Sequence, residues 1–320
     1  MKTQITQTKQ WQKLQDDLGA KSFFEKTDDY QYLAIEKKTP VGNYLFLPYG
    51  PSAKDEAGFQ KAILSLENLA KEQGSIFIRL EPIEPTYTKL LPPLARKVRD
   101  VEPAETWVLD LPKISEEDPL DNSELRNLLP SRLLRYYKNR EKQGITIIKS
   151  HDPADIRHLV KLQSEMAKEK GITTFTEDYL KAELSQDFAT LYLLFRQSTD
   201  LEGKCSSSSI ENQVLAAGLV FDDEKTRYNL QGAQSDEGRR LHATGILTIE
   251  LIKDAAKAGK RTFDFWGIAP DGAPSSHPWA GFTAFKKTFA GREVKYAGTY
   301  DLPVRSLKYH LYRLLRRFKH

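Results

Sequence analysis

The order of apolar and polar residues in the first third of the chain predicts strands around one amphipathic helix. Residues 30–37 and 43–47 are rich in aromatic and branched side chains, and the Thr-Pro-Val-Gly sequence at 39–42 between them is typical of a turn. Residues 55–73 repeat apolar side chains at a spacing of three and four, which predicts a helix with one buried face. Residues 75–80 form the next predicted strand.

The rest of the chain repeats this order of elements. Its predicted strands are residues 106–111, 145–148, 190–195, 214–221, 226–232 and 261–266. Its predicted helices are residues 123–142, 153–170 and 239–258. A polar segment with four consecutive serines, 206–209, predicts a hairpin loop between two of the strands. A strand hairpin, a helix and a further strand thus occur twice, which predicts two α/β domains of related topology.

Length and composition agree with two folded domains and exclude several classes of protein. The 320 residues exceed what one ordinary core fills, and the 14 Tyr, 15 Phe and 4 Trp exclude a disordered chain. No apolar run approaches the roughly 20 residues of a membrane span, and the polar first 15 residues do not resemble a secretion signal. Cys205, the single cysteine, can form neither an internal disulfide nor a metal site alone. We therefore expect a cytoplasmic protein that uses no metal and no cofactor.

Two segments concentrate positive charge, although the net charge is only +4. Residues 305–320 carry six Lys or Arg and no acid, and residues 126–142 carry six Lys or Arg against Glu141 alone. Such segments bind polyanions such as RNA, a pyrophosphate or anionic lipid, or they form solvated helix faces. The charge pattern leaves these alternatives open.

The order of elements in the last third of the chain permits an acyltransferase of the GNAT kind. Three antiparallel strands, a helix and a fourth strand form the core of the GNAT fold, and the predicted helix start at Gly238 would offer free backbone N–H groups to an anion. Versions that use acetyl-CoA place Gln or Arg three residues before a glycine at this helix start. None of the 18 glycines here has that neighbour. A CoA donor is therefore disfavoured, although the fold is not.

Lys286 is the leading candidate for a catalytic cation. Phe282, Phe285 and Phe289 have the spacing of one helical face, and Lys286 lies at its edge. A lysine whose stem packs against aromatic rings can direct a fixed positive charge into a cleft. The alternative is an ordinary surface lysine. His277, in the loop before this segment, is a further candidate, with a plain loop position as its alternative.

The ordered motifs of the chain resemble the FemABX aminoacyltransferases, which build peptidoglycan bridges with aminoacyl-tRNA. The hallmarks are a strand ending in Asp-x-x-Gly-Ile, a variable loop, Phe-Lys in a short helix, and a Tyr-x-Gly strand. They match Asp264–Ile268, Phe285-Lys286 and Tyr296-Ala297-Gly298. Further matches are Trp11-Gln12-Lys13, Tyr49-Gly50-Pro51 and Arg79-Leu80-Glu81-Pro82. Each match is weak alone, but together they run through nearly the whole chain in order.

The resemblance implies an α/β (α+β) fold of two tandem GNAT-like domains around a shared cleft. Domain 1 would comprise residues 1–104 plus 292–320 on the precursor-binding side, and domain 2 residues 105–291 with the Phe-Lys segment. Some members carry a long coiled-coil arm that has been regarded as a tRNA contact. This chain has no room for such an arm, so it is similar to the compact, FemX-like form, and its tRNA contact must lie elsewhere.

The resemblance also implies the reaction and two catalytic residues. A neutral amine on the stem peptide of a precursor, UDP-MurNAc-pentapeptide or lipid II, would attack the aminoacyl ester of the tRNA. The family's Phe-Lys assigns stabilisation of the resulting oxyanion to Lys286 and the shaping of the site to Phe285. Such a mechanism needs no Ser-His-Asp set and no catalytic cysteine. The amino acid, its number and the stem residue that receives it stay open.

For binding of the precursor, the resemblance implies a lysine after an N-terminal tryptophan, which matches Lys13 after Trp11. The family's second phosphate-binding residue, an arginine, is replaced by Phe175, so the recognition of the phosphate differs here. Tyr179 and Tyr228 are candidate substrate-binding residues, each with core packing as its alternative. Asp264 and Trp266, in the matched strand end, complete the predicted substrate-binding set.

Two other functions remain open beside this one. The first is an acyltransferase of the same fold that uses CoA or another activated donor. The second is a non-catalytic module that binds RNA or a precursor through its basic segments. For residues 305–320, the apolar positions Leu307, Leu311, Leu314, Leu315 and Phe318 predict a helix that packs on domain 1, contacts tRNA, or touches the inner face of an anionic membrane.

Overall fold

The computed structural model describes residues 1–170, 174–196 and 214–317. The predicted serine-rich hairpin loop, Cys205 and Phe318 lie outside the described residues.

The helices of the described chain are short to medium in length, and the longest contains 17 residues. They are α1 (Lys9–Asp17), α2 (Glu56–Glu72), α3 (Ser123–Leu128), α4 (Ser131–Lys138), α5 (Ile156–Lys170), α6 (Glu177–Leu184), α7 (Asp236–Arg240), α8 (Ala243–Lys257), α9 (Ala280–Lys286) and α10 (Ser306–Arg317). No coiled-coil arm is present in the part of the chain that is described. None of these helices is long and apolar enough to cross a bilayer.

The strands form two mixed sheets. They are β1 (Ser22–Lys26), β2 (Tyr30–Thr39), β3 (Gly42–Leu47), β4 (Ser52–Ala53), β5 (Phe77–Leu80), β6 (Arg96–Lys97), β7 (Glu105–Asp110), β8 (Ile145–Ser150), β9 (Ala189–Arg196), β10 (Val214–Asp222), β11 (Thr226–Gln234), β12 (Thr262–Gly267), β13 (Arg292–Lys295) and β14 (Tyr300–Pro303). The first sheet has the order β1-β2-β3-β5-β14-β6, with β4 beside β2. The second has the order β13-β7-β12-β11-β10-β9-β8.

The chain divides into two compact units, Met1–Glu105 with Val294–His320, and Thr106–Glu293. Within each unit an antiparallel strand pair leads into a helix and then into a strand parallel to the second of the pair. The elements are β2, β3, α2 and β5 in unit 1, and β10, β11, α8 and β12 in unit 2. The predicted mixed α/β class is confirmed, and the repeated order of elements is present in both units.

Local sequence signals explain where α2 begins and ends. Asp55 precedes the helix, and its carboxylate accepts a hydrogen bond from the Gly58 backbone N–H at 2.9 Å, which satisfies one of the free donors of the first turn. Gly74 follows the helix with φ of 66°, a left-handed conformation that glycine adopts without a steric penalty. The predicted helix 55–73 therefore agrees with the observed Glu56–Glu72 to within one residue at each end.

Two predicted helices are broken in the structure. Residues 123–142 form α3 and α4, because Leu129 and Pro130 have extended backbone and the proline cannot continue a helix. Residues 239–258 form α7 and α8, because His242 between them adopts left-handed φ of 56°. The predicted Tyr-x-Gly strand is also wrong. Residues 296–298 connect β13 to β14, and the Tyr296 backbone N–H donates to the Ala104 carbonyl at 2.8 Å.

The core of unit 2 lies between its sheet and α8, whose inner face supplies Ile246, Ile249, Ile252 and Ala256. A buried arginine joins the sheet to this helix. Arg227 on β11 donates to Asp222 on β10 at 2.7 and 2.8 Å, and to Asp254 on α8 at 2.8 Å. Two carboxylates thus offset the cost of burying one guanidinium.

In unit 1, α10 packs on the sheet through tyrosines rather than through its leucines. Tyr309 and Tyr312 are buried against Phe77. The predicted packing of the leucine stripe is wrong, because the tyrosines occupy the face toward the sheet. The leucines on the opposite side of the helix are exposed, and they are Leu307, Leu311, Leu314 and Leu315.

The same region holds a buried ion pair. Arg79 on β5 donates from Nε and Nη2 to the two carboxylate oxygens of Asp301 on β14, at 2.7 and 2.8 Å. Both residues are almost fully buried, and the Tyr309 hydroxyl also donates to Asp301 at 3.1 Å. Arg79 belongs to a motif that matches the family, and here its side chain joins two strands of the first sheet.

We expect Asp301→Asn to lower the free energy of unfolding by about 3–5 kcal/mol, because Arg79 would keep a buried charge without a counter-ion. The matched control is Asp110→Asn, since Arg292 pairs with Asp110 in the same two-bond geometry, at 2.7 and 2.9 Å, on the exposed surface. That change should cost about 1 kcal/mol or less. Urea titration followed by circular dichroism measures both, and equal losses would contradict the role of the buried pair.

Candidate functional site

The candidate site is built where strand β12 ends in an irregular turn. The register of the pairing between β12 and β7 shifts between Asp264 and Gly267, so the strand contains a bulge between these two residues. Trp266 inside it has left-handed φ of 64°, and its backbone N–H donates to Asp264 Oδ1 at 2.8 Å. Bulges redirect side chains and are frequent beside active sites. The bulge turns the strand end and brings the Gly267 carbonyl toward α9.

Lys286, the last residue of α9, directs its ammonium group at this turn. Its side chain is half-buried, and Nζ donates to the Gly267 carbonyl oxygen at 2.6 Å. Burial lowers the pKa of Lys286 from 10.5 to about 8, and the charge of Asp264 opposes that change. Lys286 is thus still mostly protonated at pH 7, but it has lost much of the hydration of a surface lysine.

A side-chain contact fixes the loop between β12 and α9. Thr283 on α9 accepts a hydrogen bond at Oγ1 from the Ala269 backbone N–H, at 2.8 Å. Two contacts, Lys286 to Gly267 and Thr283 to Ala269, therefore join the start of the loop to the helix. His277 accepts at Nδ1 from the Trp279 backbone N–H at 3.1 Å, which is a local turn contact.

Phe285 faces the core of unit 2. It is half-buried against the main hydrophobic cluster, and its ring meets that of Phe289 edge-on at 5.6 Å. The predicted common helical face is only partly correct. Phe282 is 38% exposed, and α9 ends at Lys286 before Phe289 is reached. Phe285 thus anchors α9 to the core on the side next to the lysine.

Tyr228 lies beside Asp264 in the parallel pairing of β11 with β12. Its ring contacts Trp266 edge-on at 6.0 Å, and its hydroxyl donates to Asp223 at 2.7 Å. Burial, together with the charge and hydrogen bond of Asp223, raises the pKa of Tyr228 well above its usual value. The structure therefore brings Tyr228, Asp264, Trp266 and Lys286 together, with Tyr228 as a buried support rather than a titrating group.

Tyr179 and Phe175 form a separate feature of unit 2. Their rings stack at the start of α6 with centroids 4.9 Å apart, and Phe175 is exposed. Phe175 is the residue at which the sequence resemblance implies an arginine. Glu183, one turn further along α6, is buried. Its burial raises its pKa to about 8, and a hydrogen bond with Tyr179 opposes the rise. Tyr179 thus orders a buried carboxyl group and does not join the Lys286 cluster in any contact described.

Lys13 and Trp11 belong to unit 1, on α1. Trp11 is buried and Lys13 is exposed, so the helix is anchored by the first and presents the second to solvent. The Thr8 hydroxyl caps this helix by accepting from the Trp11 backbone N–H at 3.2 Å. The two residues therefore differ in role, although the sequence motif places them together.

Other family-like motifs converge inside unit 1. Tyr49, with φ of 51°, donates its hydroxyl to the Pro103 carbonyl at 2.9 Å and meets the ring of Tyr296 at 5.0 Å. Glu81 accepts from the Thr299 hydroxyl at 2.5 Å and from the Glu102 backbone N–H at 3.0 Å. Within unit 1 these contacts organise the connections between strands.

The predicted anion site at Gly238 is wrong. Ser235 caps α7, and its hydroxyl accepts from the Gly238 backbone N–H at 3.0 Å. A Cβ at position 238 would lie 2.1 Å from the Leu215 carbonyl oxygen. Gly238 is therefore required for close packing on β10, and its N–H is already used.

Two groups of the site escaped the sequence analysis. The Gly267 carbonyl is a backbone acceptor, so no side-chain pattern indicates that it binds Lys286. Thr283 lies three residues before Lys286. Its role became visible only in the structure, where its hydroxyl accepts from the Ala269 backbone N–H. The sequence offers one indication of the Lys286 contact. Gly267 of the Asp-x-x-Gly motif marks a position where the backbone itself, and not a side chain, has a specific role.

Comparison with known proteins finds a sequence similarity over part of the chain. Residues 183–317, which include β12 and α9, match the sequence profile of the FemAB family. No curated protein sequence gives a significant match.

Solved structures of similar fold cover nearly the whole chain. The structure of FemX superposes with a TM-score of 0.76 at 17% identity, covering 96% of this chain and 94% of that one. L-PGS from Bacillus licheniformis gives 0.55 at 15% identity, with 99% and 98% covered. A tandem GNAT protein from the clavulanic acid biosynthesis pathway gives 0.50 at 10% identity, with 86% and 79% covered.

The lowered pKa of Lys286 yields a direct test that needs no substrate. After reductive methylation with ¹³C-formaldehyde, the Lys286 resonance should titrate near pH 8, and Lys286→Arg identifies it by removing it. Asp264→Asn should move the midpoint to lower pH, because it removes the charge that favours the ammonium form. A midpoint near 10 in the folded protein would show that the ammonium is fully hydrated.

Proposed function

We propose that the chain is an aminoacyltransferase of the FemAB family, whose profile matches residues 183–317, and that it moves an amino acid from aminoacyl-tRNA to the stem-peptide amine of a peptidoglycan precursor. The precursor is UDP-MurNAc-pentapeptide or its lipid-linked form. The observation that carries the proposal is the half-buried ammonium of Lys286, held against the bulge at the end of β12.

The proposed chemistry forms one bond and breaks one. The lone pair of the neutral acceptor amine attacks the ester carbonyl carbon, and the carbonyl oxygen becomes a tetrahedral oxyanion. The C–O bond to the tRNA ribose then breaks, and the proton lost by the amine is balanced by the proton gained by the ribose oxygen. The ester is already activated, so the protein mainly positions the reactants and stabilises the oxyanion.

Lys286 has the properties that such stabilisation needs. The Gly267 carbonyl accepts one of its three N–H donors, which leaves two for a ligand oxygen. Partial dehydration strengthens the attraction between the ammonium and a developing negative charge, because less water screens the pair. Asp264 keeps the lysine charged at neutral pH despite its burial. Phe285 fixes the helix from which the lysine extends.

We assign substrate contacts to the other members of the predicted set. Trp266, in the bulge beside Lys286, would line the acyl-donor side, with Tyr228 supporting its ring. Lys13, exposed on α1, would bind a phosphate of the precursor while Trp11 anchors the helix. Phe175, stacked on Tyr179, would offer an apolar contact where the family has a phosphate-binding arginine.

Replacing Lys286 with alanine should lower kcat for aminoacyl transfer about 100- to 1,000-fold with little change in KM, the typical cost of losing one oxyanion donor. The assay supplies aminoacyl-tRNA carrying a labelled amino acid with the UDP-linked and lipid-linked precursors in turn, and acetyl-CoA as an alternative donor. The matched control is Lys287→Ala, since Lys287 is an exposed neighbour that pairs with Glu293 at 3.3 Å. Transfer that survives in Lys286→Ala, or acetyl transfer without aminoacyl transfer, would refute the proposal.

We further propose that α10 contacts the anionic inner face of the membrane, where a lipid-linked precursor would reside. Its outer side exposes four leucines, and Leu307 is 88% accessible. Residues 305–317 carry five Lys or Arg and no acid. An exposed apolar row on a basic helix is typical of a helix that lies in the bilayer interface.

The triple change Leu307→Gln, Leu311→Gln and Leu314→Gln should weaken binding to phosphatidylglycerol vesicles by roughly 100-fold, at about 1 kcal/mol for each leucine removed from the interface. Leu64→Gln with Leu94→Gln is the control, since both leucines belong to unit 1, lie outside α10 in the sequence and are at least 60% exposed. Cosedimentation measures the partition. Equal binding by all three proteins would exclude α10 as the contact.

A further inference from the structure

A second polar surface of unit 2 combines stacked rings with arginines. Tyr136 on α4 and His242, between α7 and α8, stack with ring centroids 4.3 Å apart and planes 11° from parallel. The guanidinium groups of Arg132 and Arg135 each lie 5.6 Å from the Tyr136 ring centre, and Arg132 donates to the Tyr136 hydroxyl at 3.0 Å. Arg240, two residues before His242, is exposed on the same segment. We call these five residues the stacking patch.

Close helix packing assembles the patch. Gly245, in the first turn of α8, faces Leu133 of α4 so closely that a Cβ would lie 2.6 Å from Leu133 Cδ2. Tyr136 follows Leu133 by three residues, and His242 precedes Gly245 by three, so the same approach brings the two rings together. His242 holds a left-handed conformation that few side chains adopt readily. The backbone here is thus ordered around a half-buried ring pair, which a solvated face does not require.

The acidic residues near the stacking patch form ion pairs with other arginines. On α7, Asp236 pairs with Arg239 at 3.5 Å and Glu237 pairs with Arg196 at 3.3 Å. Within the described ranges no ion pair involves Arg132, Arg135 or Arg240. Both arginines of α4 are exposed, whereas the two rings are half-buried.

The geometry points to an RNA strand as the ligand of this surface. Arginine side chains bind phosphates, and neighbouring aromatic rings supply a stacking surface for unpaired bases, which together are the usual means of holding single-stranded RNA. A bilayer fits less well, because none of the strongly exposed apolar side chains belongs to α4 or to the segment from Arg239 to Gly245. We therefore infer that the stacking patch binds the single-stranded acceptor end of the donor tRNA, an inference that rests on the proposed function.

A backbone hydrogen bond joins the end of α3, which precedes α4, to the segment that follows Lys286. The Ala290 backbone N–H, four residues after Lys286, donates to the Leu128 carbonyl at 3.0 Å, just before the turn that begins α4. The RNA surface and Lys286 thus lie in the same unit and share one support. This assigns a tRNA contact to α4, and the described part of the chain contains no coiled-coil arm that would supply one.

Equilibrium binding of the full chain to deacylated tRNA, measured by fluorescence anisotropy across a salt series, tests the inference. Arg132→Gln with Arg135→Gln should weaken binding and reduce the slope of log affinity against log salt by about 1.4, two single-strand phosphate contacts. Tyr136→Ala should weaken binding between about 5- and 150-fold, the range for one stacked base, and Tyr136→Phe should restore most of it. His242→Asn removes the ring but keeps a residue that tolerates the left-handed backbone.

The matched control is Lys225→Gln with Lys257→Gln, which removes the same charge from exposed positions around the opposite end of α8. Thermal unfolding checks that every variant is folded. Selective loss of tRNA binding in the patch variants supports the inference. Unchanged tRNA binding, or a loss of phosphatidylglycerol vesicle binding instead, overturns it. Aminoacyl transfer by the unaltered protein separates the two proposals. If transfer occurs but the patch variants bind tRNA normally, only the RNA surface is refuted. If tRNA binding depends on the patch but no transfer occurs, only the proposed function is refuted.

Discussion

The candidate site depends on one interaction, the hydrogen bond from a half-buried ammonium group to a backbone carbonyl oxygen. Removing Lys286 from water destabilises its charge, and the Gly267 carbonyl and Asp264 recover part of that loss. An exposed lysine would carry the same charge, but water would screen it and its side chain would lose entropy on binding. The partly dehydrated position suits one lysine to the proposed stabilisation of a brief negative charge.

This arrangement requires the irregular end of β12. A regular strand would continue its alternation and direct the Gly267 carbonyl into the sheet. The bulge and the left-handed Trp266 prevent this, at a cost of roughly 1–3 kcal/mol for the backbone conformation. Asp264 offsets part of the cost by accepting from the Trp266 N–H, and Tyr228 packs on the indole ring. The same carboxylate thus holds the turn and supports the lysine charge.

Arginines in this protein divide into two groups by burial and counter-ion. Arg79 and Arg227 are buried, each meets carboxylates in near-ideal geometry, and each joins elements distant in sequence. Arg132 and Arg135 are exposed beside aromatic rings and lack such partners among the described residues. The first pair contributes to the fold because a buried charge cannot be left unpaired. The second pair retains its capacity to bind an external anion.

Most helices and strands could be predicted from the order of residues, because periodic burial of side chains is a local property. The helix at Glu56–Glu72 and the strand at Thr226–Gln234 follow from the spacing of apolar residues, and the choice of Lys286 as a candidate follows from a motif. Other features could not be predicted, because they arise from packing between segments that are distant in sequence. The left-handed His242 follows from the approach of α4 to α8, and the exposed leucines of α10 follow from tyrosines that pack on Phe77. The acceptor for Lys286 is a backbone oxygen. Its direction depends on the pairing of β12 with β7, so no side chain in the sequence indicates it.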